Sequence, residues 1–424
     1  MLFTLLAIMV IFLALGFPMM VPLILAPLVI VLFFFDAVDP FIMLQQMLEG
    51  ISSYVLLAVP MFIFAADIMS QGHTSRRLLD FIGAFVGHLR GGYAITTAAA
   101  CTIFGSISGS TQATVVAIGG PMRQRLLKVG YKDSTAIAFI INASDVALLI
   151  PPSIGMIMYS LISGTSLGDM FIAGIGPGLL VFVFFTLYAY IHAKIYSIPL
   201  AAKIPWKERG KMTFDAIFPL LFPVIIIGGI YSGLFTPTEA AAMAVLYAFV
   251  LEVIVYRTVK LKQMFSIALS SGLVTSAVFM LVAGGQVFAW VIQFARIPQM
   301  ITDTFLAGDP GPIYVLIIVS IFFFIGCMFV DPIVVILILT PIFYPAAIQA
   351  GVDPVHLGVV ITFQAALGSA TPPFGVDIFT ASAVFNRSYL DTIRGTPPFI
   401  VMMLVIAVLL ISFEPISTFL LPDN

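Results

Sequence analysis

Charge is scarce in this chain. Only 18 Lys and Arg and 20 Asp and Glu occur among 424 residues, 9% in all, where soluble domains carry about 25%. So little charge excludes an ordinary globular protein and points to a polytopic membrane protein. A net charge of −2 offers no footprint for nucleic acid. Cysteine is nearly missing: Cys101 and Cys327 are isolated thiols in apolar runs, so no disulfide or cysteine metal framework is implied. His73, His88, His192 and His356 are scattered near the expected membrane edges and form no ligand cluster. There is no His-Glu-x-x-His and no Walker-type loop, so ATP is not the energy source within this chain. Gly105-Ser106-Ile107-Ser108-Gly109 misses the nucleophile-elbow spacing by one place, and no enzyme is expected.

What fills the chain is apolar: 61% of residues are hydrophobic and the mean hydropathy is +1.16. Apolar segments run at about 3–35, 51–70, 93–120, 134–163, 170–192, 214–233, 238–256, 264–295, 313–345, 356–385 and 396–413. Roughly 20 residues suffice to cross a bilayer. The stretch from Met1 to Phe35 is too long and too apolar for a cleaved signal peptide and reads as the first membrane helix.

Two of these segments cannot be continuous helices. Pro151-Pro152 and Pro372-Pro373 each remove two main-chain N–H groups inside a spanning run, leaving carbonyls without partners. In hydrocarbon each orphan costs several kcal/mol, so such a break survives where it lines a cavity or holds a ligand. A broken helix at corresponding positions of two halves is a sequence pointer to a transporter binding site.

Basic loops orient the segments, because Lys and Arg collect on the cytoplasmic side. Those loops are Arg76-Arg77, Arg123 to Lys132, Lys203 to Lys211, and Arg257 to Lys262; the turn from Asp36 to Glu49 is acidic and reads as external. Segment 93–120 has basic loops at both ends, at Arg90 and Arg123, so it enters and leaves on one face. It reads as a re-entrant hairpin with its tip at Gly105 to Thr111. Segment 313–345 has the same shape, with its tip from Gly326 to Pro332 and flanks at Arg296, Asp303, Asp309 and Asp353; it reads as dipping in from outside. An offset of 221 maps Gly105 onto Gly326, Gly130 onto Gly351, Pro151 onto Pro372, Gly174 onto Gly395 and Pro177 onto Pro398. The expected fold is an all-α polytopic membrane protein with an inverted-topology repeat, two re-entrant helical hairpins and two discontinuous helices. Residues 1–192 form the first repeat. Residues 193–235 are a cytoplasmic loop, with a surface helix and Trp206 at headgroup depth, plus a connecting helix. Residues 236–424 form the second repeat.

One tip and one break per half make two pseudo-symmetric cavities, whose freed carbonyls suit a small hard cation such as Na⁺. The first groups Gly105 and Ser108 with Ala147, Ile150 and Pro152. The second groups Gly326 with Gly368, Thr371, Pro373 and Phe374. The alternative is a plain proline kink relieved by a neighbouring Ser or water. Asn142, Ser144, Asp145, Asp331 and Asp377 are polar residues in apolar spans, where a carboxylate should face a partner or water. They are candidates for substrate contact, with Ser110 and Thr111 on the first tip. Helix capping competes for Asp331, which precedes Pro332, for Asp145 and for the tip hydroxyls.

With these residues in view, the chain resembles the large membrane subunit of a tripartite ATP-independent periplasmic (TRAP) transporter over its whole length. The motifs are Phe104-Gly-Ser-Ile-Ser-Gly-Ser-Thr-Gln-Ala-Thr, Ile150-Pro-Pro-Ser-Ile-Gly, Leu337-Ile-Leu-Thr-Pro and Ala370-Thr-Pro-Pro-Phe-Gly. The resemblance implies an elevator-type secondary transporter with a scaffold and a transport domain, in the bacterial inner membrane and driven by Na⁺. It implies three further partners: a small membrane subunit on a separate chain, a periplasmic substrate-binding protein, and an organic acid substrate. Ala147 stands where the family pattern has Gly, and Asp377 where Asn is frequent. An acid at Asp377 would repel a second carboxylate, which favours sialic acid over a C4-dicarboxylate.

Concentrating a solute 1,000-fold needs about 4 kcal/mol. One Na⁺ crossing 100 mV supplies roughly 2.3 kcal/mol, and a monoanion entering loses the same. At least two Na⁺ are therefore expected per organic anion. A self-sufficient divalent-anion or citrate-type carrier is the competing reading, followed by an intramembrane enzyme or channel subunit.

Overall fold

The computed structural model describes residues 1–35, 38–305 and 311–421. Asp36, Asp309 and the side chain of Asp303, used above to orient segments, lie outside the described residues. Among the described residues there are helices and no strands. The first third holds α1 (Leu2–Ala14), α2 (Met20–Phe34), α3 (Phe41–Ile51), α4 (Ala58–Gln71), α5 (Thr74–Val86), α6 (Gly92–Ser108), α7 (Thr111–Lys128), α8 (Asp133–Ser144) and α9 (Ile154–Ser163). The middle holds α10 (Leu167–Ala173), α11 (Ile175–Ile195), α12 (Trp206–Tyr231), α13 (Pro237–Phe249), α14 (Leu261–Phe294) and α15 (Ile297–Phe305). The remainder holds α16 (Pro312–Phe329), α17 (Pro332–Gln349), α18 (Pro354–Ser369), α19 (Val376–Phe385), α20 (Tyr389–Ile393), α21 (Pro397–Ser412) and α22 (Pro415–Thr418). Among the described residues, seven helical spans are long and apolar enough to cross a membrane.

Both hairpins form where the sequence places them. Helix α6 stops because Gly109 takes φ +63°, a left-handed conformation open to glycine, and returns its N–H to Gly105 O. Ser110 then caps α7, its Oγ accepting from the Ala113 N–H. The turn is thus Gly109-Ser110, and Gly105 lies one turn down α6 rather than at the tip. In the second hairpin Val330 is extended and Asp331 caps α17, Oδ1 accepting the Ile333 N–H at 2.9 Å with Pro332 at the first helical position.

Both helices also break where the prolines require. After α8 a 3₁₀ turn spans Asp145–Leu148, and Ser153 caps α9 by accepting from Met156 N–H and donating to Leu148 O at 2.6 Å. The second break separates α18 from α19, and the Pro151–Pro152 and Pro372–Pro373 bonds are both cis. Helix lengths bring tip and break level. Helix α7 descends 18 residues from the tip, about 27 Å at 1.5 Å per residue. The 12 residues of α8 plus the four of the 3₁₀ turn climb back about 26 Å.

The two broken helices run antiparallel. Gly155 of α9 faces Thr362 of α18, and Tyr159 one turn later donates to Pro354 O at the start of α18. At the other end Arg387, just past α19, pairs with Asp133 at the start of α8 at 2.8 Å. Asp133 also takes both Arg123 Nε and Nη2, at 2.7 and 2.8 Å. The end of one broken helix therefore lies beside the beginning of the other, at both ends, as two oppositely inserted copies require.

Four expectations change. The stretch Met1–Phe35 is two helices, because Gly16 takes φ +78° and Pro18 follows it; hydropathy alone does not register those breakers. The external turn read over 36–49 holds helix α3 from Phe41 onward. No separate surface helix forms between Lys194 and Lys211. Helix α12 starts at Trp206 and continues unbroken to Tyr231, with Trp206 exposed and the Arg209 guanidinium 4.9 Å over its ring. Lastly, Asp145 caps nothing.

Candidate functional site

Each hairpin crosses its own broken helix at a contact that admits no side chain. A Cβ on Gly105 would stand 2.8 Å from Ala147 Cα and 2.9 Å from its Cβ. At the repeat offset the glycine changes sides: a Cβ on Gly368 would stand 2.5 Å from Cys327 Cβ and 2.9 Å from Phe324 O. Ala147 and Gly368 correspond, as do Gly105 and Gly326, so each crossing keeps one glycine at the close approach. Main-chain bonds join tip to break in both copies. Ile154 N–H reaches Gly109 O at 3.4 Å, and Phe374 N–H reaches Met328 O at 3.1 Å.

These crossings bring Gly105 against Ala147 and Gly109 against Pro152 O. Leu149 and Ile150 both send their N–H to Val146 O, passing over Ala147 O. Among the described residues no main-chain N–H donates to the carbonyls of Ile150, Pro151 or Pro152. Ser108 lies beside the tip, its Oγ within 3.1 Å of Thr114 Oγ1 and 3.3 Å of Ser110 O. In the second set the carbonyls of Ala370, Thr371, Pro372 and Phe374 receive no main-chain N–H among the described residues. Thr371 Oγ1 donates to Leu367 O at 2.6 Å, which leaves its own lone pairs free. The Pro373 carbonyl accepts from Tyr389 Oη at 2.6 Å. Phe374 turns its ring outward, half exposed, against Phe329 of the second tip. Gly326 packs against Val335 within its own hairpin rather than against the break. Oxygen atoms without donors, grouped at two turns, match what a small hard cation takes.

The substrate candidates divide. Thr111 Oγ1 donates to Asp377 Oδ1 at 2.7 Å, and Ser369 Oγ donates to Asp377 Oδ2 at 2.7 Å. Asp377, in the first turn of α19, is thus held between the first hairpin and the second broken helix, with both oxygens anchored and the positive helix end behind it. Ser369 was not singled out from the sequence; its place one side of the break, with Asp377 on the other, was the available signal. Ser110 is spent on its cap and on Gln112, to which it donates at 2.9 Å. Ser144 turns back to Ile140 O at 2.8 Å with Cys101 Sγ 3.6 Å away, so its hydroxyl serves its own helix. Asp331 serves as the α17 cap. Asn142 donates Nδ2 to Ala138 O at 2.8 Å, but its Oδ1 has no donor among the described residues. The same holds for both oxygens of Asp145.

Outside the apolar spans, Asp133 sits just before the 134–163 run. The Arg123 hydrogen bonds, with Arg387 adding, hold its carboxyl below the usual 3.8. A groove of about 670 Å³ between α4, α13 and α14 is lined by Pro60, Met61, Phe64 and Ala242 among others, and by none of the residues above.

Comparison with known proteins addresses the whole chain. Residues 6–416 match the family model for the tripartite ATP-independent periplasmic transporter, DctM component. The large permease protein of an ectoine/5-hydroxyectoine TRAP transporter from Ruegeria pomeroyi is 57% identical, over 97% of this chain and 96% of that one. The ectoine TRAP large permease of Halomonas elongata is 55% identical, over 96% of each. A sialic acid TRAP large permease from Vibrio cholerae is 33% identical, over 89% of this chain and 88% of that one. Among solved structures, the YdaH transporter of Alcanivorax borkumensis shares the fold, with a TM-score of 0.66 at 13% identity over 92% of this chain and 91% of that one. The chain belongs to the DctM family: it is the large permease of a TRAP transporter, a multi-pass protein of the inner membrane and not an enzyme.

Proposed function

We propose that this permease is the membrane part of a Na⁺-coupled symporter importing an ectoine-class solute, a small zwitterion with one carboxylate and one cationic amidinium. The solute would be delivered by a periplasmic binding protein, with a separate small membrane subunit completing the complex. The observation that carries the reading is Asp377, a buried carboxylate anchored by Thr111 and Ser369 where both halves of the protein meet. A carboxylate there pairs with an amidinium, whose charge favours its ionised form, and disfavours a second carboxylate. Sialic acid and C4-dicarboxylates offer no such cation, and the relatives above 50% identity carry ectoine in their names. Membership in a family that works with a binding protein sets aside the self-sufficient divalent-anion carrier.

The donor-free carbonyls around Ala147, Ile150 and Pro152, and around Thr371 and Phe374, support two Na⁺ sites. A net-neutral zwitterion loses nothing to the membrane potential. Two Na⁺ crossing 100 mV then supply about 4.6 kcal/mol, enough for 1,000-fold accumulation. The hairpins and broken helices α6–α9 and α16–α19, tied by Thr111–Asp377 and by Asp133–Arg387, would move as one transport body against a scaffold formed by the remaining helices. The division into repeats at 1–192, 193–235 and 236–424 follows the same plan.

Uptake into proteoliposomes containing the permease, its small subunit and the binding protein tests this. Labelled ectoine should enter with Na⁺ and fail to enter when choline replaces it, while sialic acid and succinate compete weakly. Entry of sialic acid in preference to ectoine would reject the substrate, and Na⁺-independent entry would reject the coupling.

A further inference from the structure

We propose that Asn142 and Asp145 form a third Na⁺ site, separate from the two carbonyl cavities; the inference rests on the Na⁺ coupling proposed above. Asp145 has no exposed surface, and neither of its carboxylate oxygens has a donor among the described residues. Asn142, equally sealed, sits three residues earlier and therefore on the same helix face. Its amide orientation is fixed by the Nδ2–Ala138 bond, which leaves Oδ1 as a second unfilled acceptor. The Asp145 N–H goes to Asn142 O as α8 tightens into the 3₁₀ turn.

The surroundings supply no positive charge to Asp145 among the described residues. The 3₁₀ turn packs against α6, α7, α8, α9, α11 and α18. Next to Asp145 in the chain, Ser144 Oγ lies 3.6 Å from the thiol of Cys101 on α6, and the carboxylate of Asp377 on α19 is held by Thr111 and Ser369. The basic residues of α7 and α11 (Arg123, Arg125, Lys128 and Lys194) lie at the far ends of those helices, and none forms an ion pair with Asp145. A buried carboxylate with no counter-charge costs several kcal/mol, and a second carboxylate nearby adds to it. Asp377 is already served by two hydroxyls, whereas Asp145 is served by none. An all-oxygen donor set containing one full negative charge, closed to solvent, suits a bare hard monovalent cation. An amidinium ring would need a cavity. The site lies two residues before Ala147, so filling it stiffens the same turn that forms the first carbonyl cavity.

The equilibrium accumulation ratio reads the ion count directly. With the potential clamped at zero, a tenfold Na⁺ gradient supports accumulation on the order of 10ⁿ for n ions, about 1,000-fold for three and 100-fold for two. Asp145→Asn in the complete complex should accumulate about tenfold less ectoine than wild type under an identical gradient, and Asp145→Glu should restore the wild-type level. A slower but correctly coupled transporter reaches the unaltered ratio, so a merely structural role leaves this readout alone. Equal accumulation by wild type and Asp145→Asn would overturn the site. Should Asp145→Asn not transport, the rise in melting temperature per tenfold increase in Na⁺, at ionic strength held with choline, replaces the measurement. A slope about one third smaller than wild type supports the third ion, and an equal slope overturns it. Wild-type accumulation that ignores the Na⁺ gradient would instead sink the coupling reading itself.

Discussion

Thr111 Oγ1 donates to Asp377 Oδ1 at 2.7 Å, a hydrogen bond between residues 266 positions apart. It joins the tip of the first hairpin to the turn that follows the second break, and Ser369 completes the hold from the other side of that break. One carboxylate is therefore positioned by both inverted copies, which makes it sensitive to their relative placement.

Thr111→Val removes one of two donors without changing side-chain size. A hydrogen bond to a charged group contributes about 1.5–3 kcal/mol, so the KM for the solute should rise roughly tenfold or more. Thr111→Ser should stay near wild type. Uptake kinetics against solute concentration read the change, and a valine variant with wild-type KM would remove Thr111 from the site.

Gly368→Ala puts a methyl 2.5 Å from Cys327 Cβ and 2.9 Å from the Phe324 carbonyl, so hairpin and break must separate. Overpacking of this kind costs about 1–3 kcal/mol. The melting temperature should fall, and the Na⁺ concentration for half-maximal uptake should rise, because the carbonyls at the break lose their spacing. Gly120→Ala, whose added methyl meets nothing within 4 Å, is the control and should leave both unchanged.

How much of this was legible in advance follows from the kind of signal. A proline pair removes two N–H groups whatever surrounds it, so both breaks were readable at Pro151 and Pro372. The tips were readable because a chain that leaves and returns on one face must reverse, although the turn fell at Gly109-Ser110, where φ is positive, rather than around Gly105. The Thr111–Asp377 bond was not readable. It depends on how two copies pack, and nothing near Asp377 in the chain points to Thr111. The unfilled oxygens of Asp145 were hidden for a related reason: an aspartate at a helix end usually caps it, and only the packing shows that this one does not. The break in the first apolar stretch was missed because hydropathy continues across Gly16 and Pro18 while the backbone does not.

Asp133 accepts two hydrogen bonds from Arg123 and one from Arg387, tying the first hairpin, α8 and the end of α19 together. Its carboxyl is held below 3.8, so this contribution is complete above about pH 4 and is lost as pH falls through the lowered value. Asp133→Asn should lower the stability by about 1 kcal/mol at neutral pH, as for a small ion-pair network at a membrane edge. The gap to wild type should hold from pH 8 to pH 5 and close only in stronger acid. A gap that closes between pH 8 and 6 would assign the effect to another group.

Thr371→Val tests the side-chain half of the second cation cavity. The Thr371 hydroxyl spends its hydrogen on Leu367 O, so its oxygen is free to accept a cation beside the donor-free carbonyls of Ala370 and Pro372. Valine keeps the shape, forfeits that oxygen and leaves Leu367 O unpaired. Loss of one ligand of this kind, at about 1 kcal/mol, should raise the half-saturating Na⁺ concentration roughly fivefold with the maximal uptake rate little changed. Thr371→Ser should preserve wild-type behaviour, because it keeps both the donor and the acceptor. An unaltered Na⁺ dependence in the valine variant would confine ion binding at this break to the main-chain carbonyls.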